Sequence, residues 1–143
     1  MKFANQPQSW AREEFDVAEL VFDSDQHSPA AGVRGSATIA RQLVYRVGSI
    51  CIDMCMQPKP GSDAMVLIGQ LLDSKHPDHG IGDIPVHLLC EGGMISRKRT
   101  NTVGEFEFGI ESPQALQLSF GIAGRRKLIV PLPSTKDNSQ LVA

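Results

Sequence analysis

Apolar and polar side chains alternate with a period of two through most of the chain after about residue 40. Phe106, Phe108 and Ile110 alternate with Glu105, Glu107 and Gly109, which describes a half-buried strand. The residues before it, Asn101-Thr102-Val103-Gly104, have the composition of a tight turn, with Gly104 supplying backbone freedom. Leu116, Leu118 and Phe120 keep the same period, as do Leu128, Val130 and Leu132. Further upstream, Ile50, Ile52, Met54 and Met56 form an inward row, with Cys51, Asp53 and Cys55 opposite. The pattern predicts strands over 42–47, 49–57, 64–72, 84–91, 94–100, 105–110, 115–121 and 126–132. Gly48 ends the first and Pro58-Lys59-Pro60-Gly61 ends the second. Residues 73–83 read as a long polar loop, and Glu91-Gly92-Gly93-Met94 as a hairpin with two central glycines. The 64–72 segment is apolar on both faces apart from Gln70, so it is predicted to be central, with Val66 and Ile68 in the core. The other expected core residues are Ile52, Met54, Val86, Leu88, Phe106, Phe108, Leu118, Phe120 and Val130. Strands at this spacing with no helix between them imply an all-β antiparallel sandwich or barrel.

Residues 1–32 differ from this pattern. A polar opening with Pro7 and Trp10 leads into Glu13-Glu14-Phe15-Asp16-Val17-Ala18-Glu19-Leu20-Val21-Phe22, which is apolar enough to dock. Its period is ambiguous: Phe15, Val17 and Val21 share one strand face, whereas Val17, Leu20 and Val21 make a helical stripe. The chain therefore divides into an arm with a short docking element (1–32), a sandwich (33–133) and a polar tail (134–143).

With 143 residues, 41% of them hydrophobic, the chain can build one core. A net charge of -2 gives no reason to expect nucleic acid as a partner. Arg97-Lys98-Arg99 and Arg125-Arg126-Lys127 are two basic clusters at expected strand edges, where such residues discourage edge-to-edge pairing; the other reading is an anionic ligand site. No stretch has the apolar length of a membrane span, and the first residues lack the apolar middle of a secretory signal, so the expectation is a cytoplasmic protein with no membrane partner. Cys51 and Cys55 would lie about 13 Å apart along one strand, too far for a disulfide. Reduced, structural cysteines are expected.

The chemistry-bearing residues are sparse. His76-Pro77-Asp78-His79, between Asp73 and Asp83, is the sharpest metal candidate, yet no second ligand pair matches it, and His76 and His79 also suit an ordinary connector. His87 sits opposite in parity to Val86 and Leu88, facing solvent or a backbone group. Ser62, Asp63, Asp83 and His87 lack the elbow that holds a serine against a base. No glycine loop cradles a phosphate, because no helix follows one. The expectation is a protein with no catalytic residue and no cofactor.

Three segments carry a family resemblance: Val66-Leu67-Ile68-Gly69-Gln70-Leu71-Leu72-Asp73, Ile84-Pro85-Val86-His87-Leu88, and Thr100 to Phe108. They resemble the carboxypeptidase regulatory-like domain over residues 64–133, with Gly69, Leu71 and Asp73 on its first motif and Gly104, Phe106 and Phe108 on its last. Leu71 replaces the usual Val, and Asp83-Ile84-Pro85 stands where a Gly often precedes the middle strand. The resemblance implies a seven-stranded transthyretin-like (prealbumin-like) Greek-key sandwich, here with additional N-terminal β segments. The metallopeptidases that give this family its name keep their zinc site in another domain. The preceding part, including Glu19 to Ser24 and Ala40 to Tyr45, looks like a bacterial subgroup associated with regulatory proteins such as anti-sigma factors.

Two roles are thus expected. The first is a non-enzymatic interaction module of a bacterial regulatory system, binding a protein partner. The alternative is a structural subunit that assembles into oligomers or filaments by exchanging its arm as a strand. The interaction residues would be Phe15, Val17, Val21 and Phe22, and a metal-binding domain is the third choice.

Overall fold

The computed structural model describes residues 14–26, 40–111 and 115–133. Trp10, the 27–39 stretch and the polar tail lie outside the described residues. Among the described residues ten strands follow one another: β1 (Phe15–Val17), β2 (Glu19–Asp23), β3 (Arg41–Val47), β4 (Ile50–Pro58), β5 (Met65–Asp73), β6 (Pro85–Cys90), β7 (Gly93–Arg99), β8 (Glu105–Ile110), β9 (Leu116–Phe120) and β10 (Lys127–Pro131). They form two five-stranded sheets, ordered β1-β10-β9-β6-β7 and β2-β3-β4-β5-β8. All pairings are antiparallel except β1 on β10. Setting β1 and β2 aside, each sheet keeps four strands, one more in total than the seven the resemblance implies.

The two-residue period explains the core. Ile50, Ile52, Met54 and Met56 on β4 meet Val86, Leu88, Leu118, Phe120, Leu128 and Val130 of the other sheet, and all are buried. Phe106 and Phe108 join them, with Phe106 edge-on to Phe120 at a centroid distance of 5.4 Å. Phe106 also lies directly across from Gly69 in the β5–β8 register. A Cβ on Gly69 would run into the Phe106 ring and, at 2.8 Å, into Met54 Cγ, so the glycine is the socket for that ring.

Parity on β5 corrects the expected core. Leu67, Gly69 and Leu71 point inward, while Val66 is half-buried and Ile68 is 39% exposed on the outer face. Gln70 shares the parity of Val66 and Ile68, so the one polar residue within the 64–72 run marked the solvent side. The hairpin between β6 and β7 also differs. Its turn residues are Glu91 and Gly92, and Gly93 opens β7 with φ 124°. A bulge then places Leu89 opposite Met94 after Leu88 opposite Ser96.

The arm's docking element is strand, in two pieces. β1 adds to one sheet beside β10, the chain crosses at buried Ala18, and β2 adds to the other sheet beside β3. Ala18 donates its N–H to Ile129 O at 2.8 Å. Asp23, 3% exposed, accepts from Arg41 Nε (3.0 Å) and Nη2 (2.8 Å), a two-point ion pair that fixes β2 on β3. The hydrogen bond to Asp23 holds the Arg41 guanidinium above its ordinary pKa, against the effect of burial. Near this pair Tyr45 donates its hydroxyl to Pro131 O at 2.6 Å, tying the two sheets together. Burial pushes its phenol up to about 12, with Asp23 adding and Arg41 opposing.

The 73–83 loop is pinned rather than free. Ile81 N–H donates to Leu71 O, and buried Thr100 donates its hydroxyl to Ile81 O while accepting from Ile84 N–H, both at 2.9 Å. Gly80 and Gly82 lie against the backbone of the 101–104 turn, where a Cβ would collide with Val103 and Asn101. Gly104 (φ 87°) closes that turn.

Candidate interaction surface

The arm residues expected to act together are divided by the topology. Phe15 and Val17 pair with Lys127 and Ile129, so they sit on the outer face of the first sheet, at its β1 margin. Val17 is 62% exposed. Val21 lies on β2 in the other sheet, where the register slips between Leu20 and Phe22 and leaves Val21 exposed; Phe22 is half-buried. Leu20, also exposed although it pairs with core Tyr45, was not among the expected residues, and the bulge that follows it at Val21 has no signature in the local sequence. The arm is held chiefly by Ala18, Asp23 and the Arg126 side chain, whose Nη2 reaches Phe15 O at 3.3 Å and which faces Glu14 and Asp16.

The opposite margin is formed by β7 and β8, the other two edge strands. Met94 (55% exposed) and Ile95 present apolar surface on β7. Arg97, Lys98 and Arg99 follow on the same strand, which places the first basic cluster on an edge as the sequence predicts. Lys98 has inward parity and lies 5.7 Å over the Phe108 ring, so a cation closes the core where the sandwich opens. Arg99 Nε binds Asp83 Oδ1 at 2.8 Å. A groove of about 360 Å³ separates the two edges, lined among others by Ile68, Lys98, Phe106 and Glu107.

The β8 edge has open backbone. Leu71 N–H donates to Gly104 O, so by the alternation of antiparallel pairs Phe106 and Phe108 bond to β5, whereas Glu105, Glu107 and Gly109 turn their polar groups outward. Asn101 takes both groups of Glu105: its Oδ1 accepts the N–H at 2.8 Å and its own N–H donates to the carbonyl. Glu107 and Gly109 are left as a short strand-pairing template.

The remaining candidates do not assemble. His76 N–H donates to Asp73 O and His79 N–H to His76 O, placing both histidines in successive exposed turns. Asp73 accepts from Lys75 N–H, which lowers its pKa, and Asp83 is engaged with Arg99. Among the described residues, no group of three or more His, Cys, Asp or Glu is placed to hold a metal ion. Ser62 accepts from Ala64 N–H in the β4–β5 hairpin, in a different sheet from His87. Cys51 and Cys55 face outward on β4, Cys90 packs from the other sheet, and all three are free thiols. Burial pushes the Cys51 thiol up.

Among the described residues, no helix is long and apolar enough to cross a membrane. No family model, curated protein or solved structure matches the chain.

Proposed function

We propose that this β-sandwich is a non-enzymatic interaction module of a bacterial regulatory system and works by binding a protein partner. One observation carries the reading. Six of the eight exposed large apolar residues among the described residues lie on edge strands: Phe15 and Val17 on β1, Leu20 and Val21 on β2, Met94 and Ile95 on β7; Ile68 on β5 and Val103 in the 101–104 turn are the other two. Apolar side chains beside unpaired strand edges are what strand addition and edge docking use. The carboxypeptidase regulatory-like, transthyretin-like assignment belongs to the same proposal. In its support, the two motif halves, Gly69-Gln70-Leu71 and Gly104-Glu105-Phe106, fall on strands that pair directly.

The test is site-specific photocrosslinking in the native cell. A photoreactive residue replacing Val21 or Met94 should give a discrete protein adduct, and one at exposed Lys59 in the β4–β5 hairpin should not. Equal labelling at all three positions overturns the reading. The second reading, assembly by arm exchange, draws on the strand form of the arm: β1 and β2 each occupy a sheet edge that a neighbour's arm would fill identically. Light scattering on size-exclusion fractions separates the two, because exchange gives a concentration-dependent ladder of masses.

A further inference from the structure

The sheet order brings Arg97 and Arg99 of one basic cluster and Lys127 of the other, far apart in sequence, onto one face. Reading across the first sheet, the register places Phe15, Lys127, Gly121, Pro85 and Arg99 in one row of outward positions. The adjoining row is Val17, Ile129, Ser119, His87 and Arg97. Gly121 N–H bonds Pro85 O at 3.1 Å, which fixes the row where the strands end. Between Lys127 and the two arginines the floor is low: Gly121 has no side chain, Pro85 is flat, and Ser119 is 3% exposed between Ile129 and His87. A depression of about 500 Å³ lies at the arginine end, bordered by Pro85, His87, Arg97, Lys98 and Arg99. Arg99 is matched by Asp83, but among the described residues Arg97 and Lys127 enter no ion pair.

We infer that this trough binds an extended acidic segment of a protein partner, with carboxylates on Arg97 and Lys127 and an apolar side chain against Val17 and Ile129. The inference takes the protein-binding reading as its premise for the kind of ligand, and locates it on a face rather than an edge. The span decides the ligand's shape. Lys127 and Arg97 stand three strands and one row apart, about 16 Å, which about four to five residues of extended chain cover. Two carboxylates at that spacing match two fixed cations, whereas a single small anion meets one. The net charge of -2 disfavours a long polyanion, since the rest of the surface would repel it.

His87 supplies a second readout. It is flanked by Arg97 from β7, Lys127 from β10 and the uncharged Ser119 from β9, with the Arg99–Asp83 pair one row away. Burial, then Arg97, then Lys127 lower its pKa. A bound carboxylate opposes the two cationic effects and attracts the imidazolium directly, so binding takes up a proton and tightens as pH falls through the histidine range.

Fluorescence anisotropy tests this with a labelled peptide of about ten residues carrying Glu at every fourth position and Val between, since that repeat fits the extended span. A matched peptide with Lys in place of Glu and a labelled oligothymidylate serve as comparisons. The acidic peptide should bind and the basic one should not. Arg97→Glu with Lys127→Glu should weaken binding at least about tenfold, while Lys59→Glu, the same kind of charge change elsewhere, should alter it less than about twofold. Affinity should rise several-fold from about pH 7.5 to about pH 5.5, and His87→Gln should remove that rise. Absence of acidic-peptide binding, equal binding by the doubly reversed protein, or tighter binding of oligothymidylate overturns the inference. If the wild type gives crosslinks at Val21 and Met94 but does not bind the acidic peptide, only the trough is lost; if the wild type gives no crosslinks, the protein-binding reading itself goes.

Discussion

Replacing Phe106 by alanine removes the ring that fills the socket above Gly69, a side chain only 5% exposed in the folded protein. Loss of a buried phenylalanine costs about 3–5 kcal/mol, because the surrounding core closes only partly over the space. About 0.5–1.5 kcal/mol of that belongs to the edge-on contact with Phe120. Gly69→Ala in the wild type should also destabilise, by about 1–3 kcal/mol, since the new methyl overlaps the ring and presses on Met54. Combined, the two should not add. Without the ring, the methyl enters vacated space, and its remaining close contact is with the adaptable Met54 side chain. The second substitution should then cost almost nothing or recover part of the loss, a coupling of at least about 1 kcal/mol. Urea unfolding of the four proteins, with midpoints compared at constant slope, measures it. Additivity within about 0.5 kcal/mol would mean that Phe106 does not occupy the Gly69 socket. A cost for Phe106→Ala below about 1 kcal/mol would mean that the ring is not in the core.

Tyr45 is the single tyrosine, so absorbance near 295 nm reports its ionisation alone. The folded protein should titrate near pH 12 and the urea-unfolded chain near 10. Between those values the unfolded chain has lost its proton while the folded one keeps it, so stability is full below pH 10 and falls by about 2–3 kcal/mol as pH rises through 12; Tyr45→Phe should lack this fall, and an unshifted titration would contradict its burial. Arg41→Met removes the two-point ion pair to buried Asp23 and should destabilise by about 2–3 kcal/mol by chemical denaturation, less than for a fully dry pair because Arg41 is partly exposed. Gly104→Ala places a Cβ 2.5 Å from Leu71 O at φ 87°, so the melting temperature should drop by several degrees, about 2 kcal/mol or more; a neutral outcome would mean that the turn relaxes freely.

Much of the architecture is written locally. Alternation on β4, β8, β9 and β10 marks which residues face inward, because a strand with one wet side must be polar at every second position. Where both faces are apolar, as on β5, the period loses its meaning, and only Gln70 distinguished the sides. The turn at Asn101–Gly104 was equally legible, since its side-chain and glycine chemistry is contained within a few residues. The arm was not legible. Its three-residue β1 and bulged β2 owe their form to the edges they meet, through Ala18 on Ile129 and Asp23 on Arg41.

The sequence alone determined that this chain is a two-sided β structure, which strands it has after residue 40 and which side chains of most of them turn inward, because those depend on neighbours two positions away. Tertiary structure alone decided which distant segments became neighbours. It opposed Gly69 to Phe106, put Lys98 over Phe108, split the arm between two sheets, and carried Lys127 and Arg97 to opposite sides of one trough. Strand order is set by long-range pairing whose free energy belongs to the assembled sheets, and no window of the chain contains it.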